Sequence, residues 1–143
     1  MTPVCLSSDY IIDYRNKCNE LIISKSLDEV KRLWQLFDAN WKYQMMSSPE
    51  SATWRGYPGQ NHRWSDLSLK ALEKGKEVDR LTLKTILSIK RSKLSVDNQL
   101  NYDLFRRNAE MSVEKQQFPG EYLVINQMEG LPRDVPSMIE MMP

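Results

Sequence analysis

The chain has 143 residues, 41% hydrophobic and 27% charged, with 20 Lys and Arg against 19 Asp and Glu for a net charge of +1. That length suits one domain with a real core, and the near-zero balance argues against whole-chain electrostatic capture of nucleic acid or an anionic membrane surface. Five Gly and seven Pro leave few breaks, so the predicted class is all-α, a mainly helical bundle.

The N-terminal residues lack a basic segment followed by an apolar run, so no secretory signal is read there. No run approaches the ~20 apolar residues of a membrane span. The chain as given is therefore expected to be cytoplasmic, with no membrane span and no nucleic-acid partner. Cys5 and Cys18 have the spacing of neither a redox pair nor a zinc knuckle and read as reduced, inert thiols. Residues 1–25 form a poorly defined N-terminal segment. Its runs Tyr10-Ile11-Ile12 and Leu21-Ile22-Ile23 can flank a short helix, but neither has a clear cap and the type stays open.

Residues 26–143 form the helical region. Ser26 with Glu29 is a capping box that starts a helix of about five turns. Leu27, Val30, Trp34, Phe37, Trp41 and Met45 repeat at i+3 or i+4 and predict an aromatic stripe facing the core, with Arg32, Gln35 and Asp38 on the polar side. Ser48-Pro49 starts a short helix with Pro at its first position. Residues 56–68 follow as a polar, turn-rich loop held in order by Tyr57 and Trp64.

Ser68 caps a long helix over residues 69–90, roughly 33 Å at 1.5 Å per residue. Lys70, Glu73, Glu77, Arg80, Lys84, Ser88 and Arg91 run down its wet face, and the apolar residues crowd its C-terminal half, which should be the more buried end. The basic run from Lys90 to Lys93 complements the helix dipole.

Residues 95–113 are predicted to be the helix that organises the chain. Val96, Leu100, Leu104 and Met111 fall on one side of it, Tyr102, Phe105, Ala109 and Val113 on the other, so it needs partners on both. Asp103 with Arg107 and Arg106 with Glu110 are its i,i+4 charge pairs. Phe118-Pro119-Gly120 stops it. One short strand is allowed near residues 122–125, and a last helix carries Val135, Met138, Ile139 and Met142 at core spacing. That helix is cut off at Pro143, and self-association through the exposed apolar surface is expected.

No reaction is announced by motif. A zinc site needs three or more ligands, whereas His62 is the one histidine, so no metal or catalytic residue is assigned. Phosphate-cradling glycine loops are absent from the sequence. The polar loops carry the candidate substrate-binding residues Tyr57, Arg63, Asn126 and Gln127, because function gathers on ordered loops while helix stripes are committed to packing.

Several segments together carry a resemblance: Ala52-Thr53-Trp54, Gly56-Tyr57-Pro58-Gly59, Trp64 to Ser68, Leu94-Ser95, the block Leu100-Asn101-Tyr102-Asp103-Leu104-Phe105-Arg106-Arg107, and Gln117-Phe118-Pro119 leading to Asn126-Gln127-Met128. In order and spacing they resemble the N-terminal part of the bacterial domain-of-unknown-function family 885, whose members are similar to zinc-dependent metallopeptidases of mainly helical architecture. The resemblance implies an N-terminal, non-catalytic fragment of a larger hydrolase, covering or lining its substrate cleft and inactive alone. The remainder of the parent protein is then its partner, zinc belongs only to the missing downstream region, and an envelope location follows if a leader is missing. The alternative is a self-contained helical protein-interaction module without enzymatic activity.

Overall fold

The computed structural model describes residues 9–24, 27–118 and 136. Among these it is all-α, as predicted, with five α-helices and no strand. The strand expected at 122–125, the terminal helix with Val135, Met138, Ile139 and Met142, and the candidates Asn126 and Gln127 lie outside the described residues.

The N-terminal stretch left open by sequence is one continuous helix, α1 (Asp9–Ile23), which buries Tyr14, Cys18 and Leu21 at i+3 and i+4 spacing. Helix α2 is Glu29–Ser47 and α3 is Pro49–Trp54, with Pro at its start. Gly56 ends α3 in the left-handed region, φ 69°, while Gly56 N–H donates to Thr53 O and Tyr57 N–H donates to Ala52 O. These two bonds make a Schellman stop, a place that favours glycine. Helix α4, Leu69–Leu87, starts where expected, with Ser68 Oγ accepting from Ala71 N–H. It ends three residues early, and the basic run forms a separate 3-10 turn, Arg91–Lys93. Helix α5, Val96–Glu114, runs into a second 3-10 turn, Lys115–Gln117.

Cross-helix bonds fix how the four long helices run. Tyr14 hydroxyl meets Thr82 Oγ1, and seven residues further along α1 the Leu21 carbonyl shares the Arg32 guanidinium with Ser88 at the end of α4, so α1 and α4 lie side by side and parallel. Leu21 near Arg32 and Tyr14 near Asn40 make α1 and α2 antiparallel. Arg91 on Asp103 and Gln116 on Lys76 do the same for α4 and α5. The result is a four-helix bundle ordered α2, α1, α4, α5, with α3 packed on α2 and the 56–68 loop bonded to α3 and to the end of α2. Tyr14, Leu21, Leu33, Leu36, Val78, Ile86 and Tyr102 form its core.

Parallel neighbours bring the carbonyl ends of α1 and α4 to one place, where their dipoles repel. Arg32 answers both. Its guanidinium is 2% exposed, donates to Leu21 O and to Ser88 O and Oγ, and is held by Glu29, 2.6 Å away. This overturns the expected place of the α2 tryptophans. The buried residues are Glu29, Arg32, Leu33, Leu36 and Met45, and Val30 and Phe37 pack against the core, so Val30, Phe37 and Met45 of the expected stripe do face inward, whereas Trp34 and Trp41 are each 48% exposed. The inward face takes in Arg32 and leaves out the two indoles. It was misread because Arg32 is polar by type, yet its charge is fully partnered inside. The helix begins at Glu29, with Asp28 at its N-cap and the Glu29 carboxylate on Arg32; Ser26, the other half of the expected capping box, is outside the described residues.

On α4, Lys70, Glu73, Glu77, Arg80 and Lys84 face water, and Val78, Thr82, Thr85 and Ile86 bury its C-terminal half as predicted. On α5, Tyr102 and Ala109 are buried and Phe105 packs on the core, while Val96, Leu100, Leu104 and Met111 stay exposed among the described residues. Only one of its two apolar faces has found a partner there. Arg106 pairs with Glu110 as expected, but Asp103 takes Arg91 in a two-pronged pair at 2.8 and 2.7 Å.

Candidate functional site: a cleft between α2 and α5

Three sides of the bundle are closed by helix contact. On the fourth, the parallel helices α2 and α5 touch through Phe37 and Phe105, with ring centroids 4.8 Å apart, and otherwise part. Two adjoining hollows fill the gap, about 410 Å³ at the mouth and about 180 Å³ toward α4, sharing Asn40, Gln44, Phe105 and Asn108 on both walls. Helical spacing builds each wall. Phe37, Asn40, Trp41 and Gln44 stand on one face of α2, and Asn101, Leu104, Phe105 and Asn108 on one face of α5. Val78, Asp79 and Thr82 of α4 make the floor.

The floor is wired into the core. Asn40 Nδ2 donates to Tyr14 hydroxyl at 3.1 Å, Gln44 Nε2 donates to Asn40 Oδ1 at 2.9 Å, and Thr82 Oγ1 donates to Val78 O. Burial pushes the Tyr43 phenol up to about 12, with nearby Tyr10 and Asp79 adding to the shift. It therefore stays protonated at neutral pH. Burial also raises the Asp79 carboxyl, against an opposing hydrogen bond from Gln116 Nε2 at 3.4 Å and the charge of Arg80. Higher up, Asn101, Asn108 and Ser112 form no side-chain hydrogen bond among the described residues, so their polar heads are available to a ligand. Trp41 stands at the mouth with the Arg55 guanidinium 6.0 Å from its ring.

The two described loop candidates lie elsewhere. Tyr57 is half-buried at the Schellman stop. Arg63 is engaged within its own loop, donating to Gln60 Oε1 and to Met46 O at the end of α2. Neither lines the cleft. The surrounding loop is clipped to α3 by Glu50, whose carboxylate accepts from Ser65 N–H and Oγ; burial would raise this carboxyl, but the Ser65 bonds prevail and hold it below its ordinary value. His62 is exposed. Burial raises the Cys18 thiol, as suits an inert core residue.

Sequence reasoning missed the cleft residues because it read the α2 stripe as core and passed over neutral amides. A usable signal was present: Asn40 with Gln44 at i,i+4 and Asn101 with Asn108 at i,i+7 set carboxamides beside aromatics on two helices. Among the described residues, no three His, Cys, Asp or Glu gather where a metal ion could sit, and no helix is long and apolar enough to cross a membrane. No family model, curated protein or solved structure matches the chain.

Proposed function

We propose that the chain is a non-catalytic helical binding module that holds an extended peptide segment in the α2–α5 cleft. The observation behind this reading is the cleft's make-up, with unpaired carboxamides on the α5 wall, Gln44 opposite, and an indole at the mouth. An extended backbone presents one N–H and one C=O per residue, and a carboxamide can answer both. Walls made of packed helices are already ordered, which lowers the entropy cost of binding. Half-exposed tryptophan is a residue type enriched where proteins meet.

Selection of short random-sequence peptides on the full chain tests it. The wild type should enrich peptides, and Asn108→Arg, a substitution at an exposed position that fills the mouth, should not, although its circular dichroism is unchanged. Equal enrichment by both, or none by either, overturns the reading.

A second reading follows the resemblance: a non-catalytic wall of the substrate cleft in a larger metallopeptidase-like protein. The block from Leu100 to Arg107 that carries much of the resemblance supplies Asn101, Leu104 and Phe105 to this cleft. Under both readings a peptide lies in the same groove. They differ in whether a larger body, the rest of the parent protein, acts on it. Gene sequence past Pro143 continuing in frame to a His-Glu zinc motif supports the second reading, and a stop codon there removes it.

A further inference from the structure

The lining of the cleft carries acids alone in a chain whose charges nearly cancel. Among the described residues lining it, Asp38 at the mouth and Asp79 on the floor are acids and none is a lysine or arginine; Arg55 is not part of the lining and stands against the Trp41 ring. Neither acid has an ion-pair partner among the described residues, so a bound cation would find unspent charge. Beside Asp38 stands Trp41, an indole that already has the Arg55 guanidinium near its face; such a ring attracts a cation through its quadrupole. Together these features select among peptides. An acidic side chain would meet like charge in a partly desolvated groove, a neutral one would leave Asp38 without a counter-charge, and a basic one pairs with it.

We infer that the occupant of the α2–α5 cleft is an extended peptide bearing a lysine or arginine side chain, its backbone on Asn101, Asn108 and Gln44 and its cationic head between Trp41 and Asp38. This rests on the binding-module reading and adds the chemistry of the partner. Backbone groups give the site its hold on any extended segment, and the acid with the indole gives it preference.

The test uses the full chain and synthetic peptides with one central arginine in neutral flanks, beside the same peptides with citrulline or glutamate at that place. Binding is read by fluorescence anisotropy and the footprint by amide chemical shifts. The arginine peptide should bind with shifts confined to α2, α4 and α5, and citrulline, which keeps the shape and loses the charge, should bind at least roughly tenfold more weakly, the worth of one charge-assisted hydrogen bond. Asp38→Asn should narrow that ratio, chiefly by weakening the arginine peptide; Asn108→Ala should weaken both peptides alike. Equal binding of arginine and citrulline peptides, with shifts still in the cleft, overturns the basic-peptide inference and leaves the module reading standing. If no peptide shifts the cleft resonances, both fall. Free arginine binding as tightly as the peptide, or a dimer whose formation Asn108→Arg abolishes, overturns it too, by making the occupant a small cation or a second copy.

Discussion

Arg32 is where a single side chain decides most. Its removal leaves the Glu29 carboxylate, at 8% exposure, without its counter-charge, and strips donors from the carbonyl ends of two helices at once. Arg32→Ala should cost about 3–5 kcal/mol, the range for breaking a buried pair from one side. Urea unfolding of the two proteins measures this, and a loss within the ordinary surface range would mean that water replaces the guanidinium. Asp79 works in the opposite sense. Burial raises its folded pKa above the unfolded value, so the folded state binds that proton more tightly. The stability it contributes is fully present below the unfolded pKa and is lost as pH rises through the folded one. Asp79→Asn should therefore raise Tm at neutral pH, with the gain shrinking as the pH falls through the ordinary aspartate range near ~3.9. A gain that does not change with pH would contradict this account.

Among the elements, α4 was the most legible, because its cap, its wet stripe and its buried end each rest on local rules: Ser68 before an amphipathic run, charges at helical spacing, apolar crowding toward Ile86. Helix α2 was found but its inward face was misdrawn, since hydrophobic type alone sends Trp34 and Trp41 inward and Arg32 outward. The partners that reverse this, Leu21 O and Ser88 O, are set by tertiary structure and leave no mark near position 32. The cleft was illegible for the same reason. Its walls are ordinary amphipathic faces until the parallel pairing of α1 with α4 fixes how far apart α2 and α5 stand. For α5, two apolar faces were read and one has a partner among the described residues. Val96, at 82% exposure, and Leu100, at 61%, head the other, where full burial is worth about 1.5–3 kcal/mol for each such side chain. This face should drive self-association. Sedimentation at rising concentration should show it for the wild type and lose it for Val96→Glu with Leu100→Glu, with stability changed by no more than ~0.5 kcal/mol. An ideal monomer at high concentration would rule it out.

At the scale of the whole molecule, the seam between α1 and α4 has a kinetic consequence. Helices α1 and α2 are neighbours in sequence, as are α4 and α5, so each pair can zip up as a local hairpin. The seam joins residues far apart along the chain: Tyr14 with Thr82 are 68 positions apart and Arg15 with Glu77 are 62. Loop closure must be met before such contacts give anything back. The order of assembly is therefore two hairpins first, then their docking along the seam, with Arg32 reaching Ser88 as the last strut. Thr82→Val should speed unfolding while barely slowing folding, whereas Leu33→Ala, inside the first hairpin, should slow folding more for the same lost stability. Stopped-flow chevrons on the two variants read this directly, and a folding rate slowed as much by Thr82→Val as by Leu33→Ala would reverse the order. Because α2 and α5 belong to different hairpins, the cleft comes into being only at that final step: a half-assembled chain has its two walls but no groove, and binding can begin only when folding has ended.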